Sequence, residues 1–278
     1  MRNLIPFLVV VASAGCGGKA TLTESQEYFM ARGVAALSIE KDHLYTDEKL
    51  EEYVTMVGLT VAFESDRPET YKGYWFAILN SDQVNAFAAP SGFIFITKGA
   101  LRAMKTEDEL AGVLAHEIAH VNLRHPELAA DRAANEAGLM DYATALGKGA
   151  EGVGFVAGIF GQRQVQSYAE TAKAAAPAFG KSLTSMHGAL TQGYAPAEEF
   201  AADKLAVDFL TRKGVGYDPN GFKDFVARLP KKDDAYGTHP GLENRVKQIE
   251  DEIQKRKVAP ADPARTKRFL AMKAALGQ

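Results

Sequence analysis

The chain has 278 residues and a mass of 30.0 kDa, with 46% hydrophobic and 24% charged residues, a composition that excludes an extended disordered protein and allows one substantial core. A formal net charge of −3 and a pI near 6.1 leave no electrostatic footprint for nucleic acid. After the first fifteen residues no apolar run is long enough to cross a bilayer.

The N-terminus reads as an export signal. "MRNLIPFLVVVASAGC" places Arg2 ahead of an apolar stretch from Leu4 to Ala12, followed by small residues up to Cys16. Residues 1–15 are therefore expected to form a lipoprotein signal peptide, with Cys16, the single cysteine, as the lipidation site and 16–25 as a short tether. Ser13 departs from the Leu usual three residues before a lipidated bacterial cysteine; the simpler alternative is an ordinary signal peptide with a free thiol. An acylated Cys16 would hold the protein on a membrane surface in the bacterial periplasm. Gly17, where an aspartate-type retention signal would otherwise stand, points to the outer membrane.

From Glu24 to Glu64 the pattern predicts two helices, the second with Leu50, Tyr53, Val54, Val57 and Val61 on one face. Three β-type runs follow: "YWFAIL" (Tyr74–Leu79), "NAFAAP" (Asn85–Pro90) and "GFIFIT" (Gly92–Thr97). Pro90 places "NAFAA" at a sheet edge, where a missing N–H is tolerated. From Lys98 onward the chain is almost entirely helical. Thr106 and Glu109 form a T-x-x-E capping box ahead of Leu110, Val113, Leu114, Ile118 and Val121. An Ala/Gly-rich stretch over 128–190 precedes a helix from Pro196 to about Arg212, a charged helix over Leu242–Lys257 and a short final helix. The expected fold class is α+β, predominantly helical, with a small β-sheet.

Within the capped helix, "VLAHEIAHVNLRH" contains His116-Glu117-x-x-His120. Residues four apart share a helix face, so both imidazoles can reach one metal ion, while Glu117 is turned by about 100° toward a water beside it. The alternative is an Ala-rich core helix with two incidental histidines. Apolar Ala115, Ile118, Ala119 and Val121 imply burial, and burying two imidazoles and a carboxylate without a partner is costly. A metal removes that cost. A catalytic zinc needs a third protein ligand and an open position. "EEFAAD" supplies Glu199 as that ligand and Asp203, four residues on, as an acceptor to orient a ligating imidazole. Glu198 competes for the ligand role but has Ala202 four residues on. His125, His43 and His187 have no partner at useful spacing and read as surface or structural residues.

Five ordered motifs, "NAFAAPSGFIFITKGAL", "EDELAGVLAHEIAHVNLRH", "EEFAADKLAVDFL", "GYDPNGF" and "THPGLENRV", resemble the zinc peptidase family (gluzincins) of HtpX, the Oma-type mitochondrial proteases and the type I CaaX prenyl protease, and most of all its soluble periplasmic LoiP/BepA branch. The resemblance spans about residues 40 to 257. It implies a zincin-type peptidase domain over 26–257, with 258–278 as a C-terminal helical tail. It also implies one zinc per chain on His116, His120 and Glu199, with Glu117 as general base. The edge strand, at Asn85, Ala86 and Phe87, would pair with substrate backbone and face the active site. His239, in "THP", would stabilise the oxyanion or occupy the open zinc position, and Arg245 would fix that loop by pairing with a carboxylate. "YAPAEEF" lacks the Arg often found before the ligand glutamate in this family, and the chain carries neither HtpX-like spans nor a run of helical repeats.

The expected function is a zinc-dependent endopeptidase of the bacterial cell envelope that hydrolyses misfolded or misassembled proteins. The alternative is a chaperone-like envelope lipoprotein whose zinc site is closed or regulatory.

Overall fold

Three short strands, apolar but for the closing Thr97, form a mixed sheet between two helical layers. β1 (Trp75–Leu79) runs parallel to β3 (Phe93–Thr97) in the register Trp75↔Phe93 to Leu79↔Thr97. β2 (Ala86–Ala89) lies antiparallel on the other side of β3, pairing Ala86 with Ile96 and Ala89 with Phe93. The order β1-β3-β2 makes β2 an edge strand among the described residues. The computed structural model describes residues 24–136, 183–229 and 242–277. Cys16, His239 and most of the Ala/Gly-rich stretch lie outside them.

Continuous apolar strands require cover on both sheet faces. Phe76, Ile78, Ala86, Ala88, Ile94 and Ile96 point into a core built with α2 (Glu48–Ala62) and α4 (Glu107–Asn122). Their neighbours Ala77, Leu79, Phe87, Ala89, Phe93 and Phe95 point to the opposite face, against α1 (Glu24–Asp42) and Met186 and Leu190 of a helical segment over 183–191. Pro90–Gly92 reverses the chain between β2 and β3, with Ser91 (φ 60°) and Gly92 (φ 84°) both in the left-handed region that suits a hairpin. The short α3 (Lys98–Ala103) follows, capped by the Thr97 hydroxyl.

Helix α4 is buried from Glu107 to Val121, including Leu110, Val113, Leu114, Ile118 and Val121, and is the spine of the domain. It packs against α2, against α6 (Pro196–Thr211) and against α7 (Pro219–Ala227). Its N-cap is half the box that the T-x-x-E motif implies. Thr106 accepts the Glu109 N–H at 3.2 Å, but the Glu109 carboxylate accepts from Lys105 N–H and pairs with Arg228 instead of returning to the cap residue. Glu107, fully buried, accepts from the Tyr53 and Tyr217 hydroxyls and pairs with Arg268. Those bonds join α2 and α9 (Pro263–Lys273) to the start of the spine, and Phe269 and Leu276 enter the same core. α8 (Leu242–Gln254) packs across α6 and α7. The fold is therefore α+β and predominantly helical, and among the described residues no helix is long and apolar enough to cross a membrane.

α5 (His125–Glu136) starts directly after α4. At its start Glu127 is buried, and neither carboxylate oxygen is hydrogen-bonded to another described residue. Burial, with Glu27 nearby, raises its carboxyl from 4.5 to about 7 against the pull of its own backbone N–H and of Arg124.

Two predictions follow from this packing. A Cβ at Gly112 would lie 2.4 Å from Phe222 Cβ and 2.8 Å from its Cα, so Gly112→Ala is expected to cost about 1–3 kcal/mol in urea unfolding by forcing α4 and α7 apart. For Glu127 the folded-state value lies above the unfolded one, so its contribution is full at pH below about 4.5 and is lost as pH rises through about 7. Relative to Glu127→Gln, wild-type stability should therefore fall between pH 5 and 8 by on the order of 2 kcal/mol.

Candidate metal centre

The period of α4 puts His116 and His120 on one face, with their Nε2 atoms 3.0 Å apart. α6 crosses α4 and delivers Glu199 between them, Oε2 at 3.5 Å from His116 Nε2 and Oε1 at 3.8 Å from His120 Nε2. All three residues are buried, and their donor atoms lie within 4.8 Å of one another, a group of the kind that holds a metal ion. One turn further along α6, Asp203 Oδ1 stands 3.0 Å from His116 Nδ1, behind the ring. From α8, Arg245 binds both carboxylates. Its Nε and Nη2 donate to Asp203 at 2.7 and 2.6 Å, and Nη1 is 2.7 Å from Glu199 Oε2.

These contacts set the charges. Burial pushes the Asp203 carboxyl up, but the Arg245 guanidinium and His116 outweigh it and hold the group below its usual range. Burial pulls His116 down, yet the Asp203 and Glu199 carboxylates raise it to about 9. The field at His116 thus stabilises positive charge. Glu117 is pushed up to about 7, first by burial and then by the charge of Glu199, against the opposing pull of His116, Arg245 and the Ala88 N–H that it accepts. Two imidazoles, one carboxylate and a field that favours a cation fit zinc, whose sites take these donors.

The edge strand meets the centre through its backbone. Thr97 N–H donates to Asn85 C=O, and in an antiparallel ladder the hydrogen-bonded pairs alternate, so Phe87 also pairs inward with Phe95. Ala86 and Ala88 therefore direct N–H and C=O outward. At Ala88 both are engaged: the N–H by Glu117 and the C=O by the Tyr194 hydroxyl at 3.3 Å. Of the three expected substrate-binding residues, Ala86 alone turns its backbone to the open edge. The Phe87 ring stacks on Phe95 on the far face, and the Asn85 amide donates to Thr191 C=O. An apolar cleft beside His116 and Glu117 is lined by Ala86, Val113, Phe222, Phe225 and Val226.

The remaining sequence candidates fall as follows. Glu198 is held outside the centre by Arg132, at 2.8 and 3.1 Å, and by Ala195 N–H, whereas Glu199 faces the two imidazoles. Arg245 pairs with a carboxylate as expected, but with the two in the centre. His43 is exposed, and His187 meets the edge of Phe87. His125, read as surface or structural, is buried and not at the surface, with Nδ1 2.8 Å from His120 Nδ1. Tyr194 had no sequence signal. Its ring stacks on His120 at 4.1 Å and its N–H donates to Glu199 Oε1 at 3.2 Å.

The chain is similar to the beta-barrel assembly-enhancing protease of Yersinia pestis, 24% identical over 98% of this chain and 53% of that protein. The protein of the same name from Escherichia coli K12 is 26% identical over 77% of this chain and 40% of its own length. The chain thus spans about half or less of these relatives. A stretch making up 17% of the chain is 46% identical to the mitochondrial metalloendopeptidase OMA1 of Schizosaccharomyces pombe, of which it covers 14%. Since the family model of peptidase family M48 matches residues 48–253 of the 278, the chain belongs to that family.

Proposed function

We propose that the chain is a zinc-dependent endopeptidase in which His116, His120 and Glu199 hold one zinc ion and Glu117 moves the proton. The observation that carries this reading is the buried cluster of two imidazoles and a carboxylate on α4 and α6, with Glu117 one residue from the first ligand. When bound, the metal supplies Lewis-acid polarisation of a water and of the scissile carbonyl. Glu117 takes a proton from water onto its carboxylate and returns it to the nitrogen of the leaving amine. The Ala88 N–H, accepted by its carboxylate, aims Glu117 for both transfers. Ala86 offers an outward N–H and C=O to an extended substrate segment, and main-chain pairing of this kind tolerates many sequences. The adjoining cleft accepts an apolar side chain. His239, in the "THP" sequence, would stabilise the oxyanion or occupy the open metal position.

Substrates are proposed to be misfolded or misassembled proteins of the bacterial envelope. The names of the Yersinia and Escherichia relatives, which tie a protease to β-barrel assembly, support this class. Anchoring through a lipid on Cys16, in the periplasm and on the outer membrane, rests on the N-terminal sequence.

Glu117→Gln should bind one zinc per chain as wild type does, while hydrolysis of an unfolded protein such as casein falls by about 10²–10⁴-fold; full activity in that variant would remove the proton-transfer role. In a chelator-competition titration, Glu199→Gln should weaken zinc binding at least about 100-fold, beyond the loss typical of a residue behind a ligand. Glu198→Gln should leave zinc binding unchanged, and the reverse pattern would move the ligand to Glu198.

A further inference from the structure

In an unbroken α-helix, a residue five positions after His120 would be turned from it by about 140°. The chain does not continue that way. α4 ends at Asn122, with Leu123 as its C-cap, and Arg124 adopts φ 58°, a left-handed conformation uncommon for a residue with a side chain. α5 then starts at His125, with Pro126 in its first turn, where the missing N–H is harmless. The break swings His125 back toward the ligand face, so that the two Nδ1 atoms lie 2.8 Å apart and the ring centroids 5.0 Å apart at 62°.

A 2.8 Å contact between two ring nitrogens requires one donor and one acceptor. The proton position follows from the metal centre. His120 must keep Nε2 unprotonated to face the ion, so its proton is on Nδ1 and is donated to His125. His125 accordingly accepts at Nδ1 and carries its own proton on Nε2. The other ligand is supported in the same place by a different group, since His116 Nδ1 meets Asp203. A neutral imidazole behind His120 gives the second ring an acceptor without adding another negative charge to a pocket that already contains Glu117, Glu199 and Asp203. The partner is also anchored: Arg132 of α5 binds Glu198 in the first turn of α6, the helix that supplies Glu199. Tyr194 stacks on His120 at 4.1 Å and 22°, which leaves the ring little freedom to rotate.

We propose that His125 is a positioning residue of the metal centre, accepting the Nδ1–H of His120 and thereby holding Nε2 of that ring toward the metal; the inference rests on the zinc site proposed above. The test is zinc affinity by chelator competition, with apo-protein melting temperature measured in parallel, for wild type and for His125→Asn, His125→Gln and His125→Leu. Asparagine can place its amide oxygen near the position of Nδ1, whereas glutamine carries its amide one carbon further out and leucine offers no acceptor. His125→Gln and His125→Leu should weaken zinc binding by about 10–100-fold, while His125→Asn stays near wild type. Equal affinity in all four proteins would overturn the proposal, as would an Asn variant as weak as the Gln variant at similar apo stability. The Asn–Gln comparison decides the matter even where the Leu variant loses stability. A wild-type chain that binds no zinc would overturn the metal centre itself, a result distinct from loss confined to the variants.

Discussion

The guanidinium of Arg245, buried between Glu199 and Asp203, is the interaction on which the site depends. Two carboxylates on one turn of α6, both shielded from water, would not stay ionised without a fixed cation, because uncompensated buried charge is expensive. Arg245 supplies the cation with directed N–H bonds to Asp203 and a 2.7 Å ion pair to Glu199. It thereby locks α8 to α6. Its single charge does not neutralise both acids, and the remainder is expressed at His116, whose raised value records a pocket prepared for positive charge. Breaking this contact would disturb Glu199, Asp203 with its 3.0 Å contact to His116, and the packing of two helices together.

The second constraint is the complete burial of α4. A helix covered on all sides holds its side chains in place by packing, so His116, Glu117 and His120 project from a rigid support. The close approach of Gly112 to Phe222 brings α7 against the same helix, and the Phe222 ring lies 5.7 Å from that of His116. On the other side, β2 delivers its backbone at Ala88 to Glu117 and Tyr194. The Glu117 carboxylate, Tyr194 and the strand edge are therefore mechanically one unit.

What the sequence made legible is what a fixed period or a local signal encodes. His116, Glu117 and His120 could be placed because the helical repeat dictates which residues share a face, and Glu199 with Asp203 because the same repeat applies to a carboxylate pair. The three strands and the helix starts were marked by Pro, Gly and Thr106. What stayed hidden depends on contacts between distant segments or on a break in the period. His125 was set aside because its spacing fails in a continuous helix, and nothing in "NLRH" announces the left-handed Arg124. The reciprocal half of the capping box is missing because Arg228, far along the chain, draws Glu109 away. Phe87 belongs to the edge strand but faces the far core, since strand alternation hands the outward positions to Ala86 and Ala88. Tyr194 acts through one stacking contact and two hydrogen bonds that no spacing rule connects.

X-ray absorption at the zinc edge of the zinc-loaded wild-type chain tests the central claim most directly. The account predicts one zinc per chain, with scattering from two imidazoles and oxygen donors at about 2.0–2.2 Å. A spectrum without the imidazole signature, or a chain that takes up no stoichiometric zinc, would contradict it.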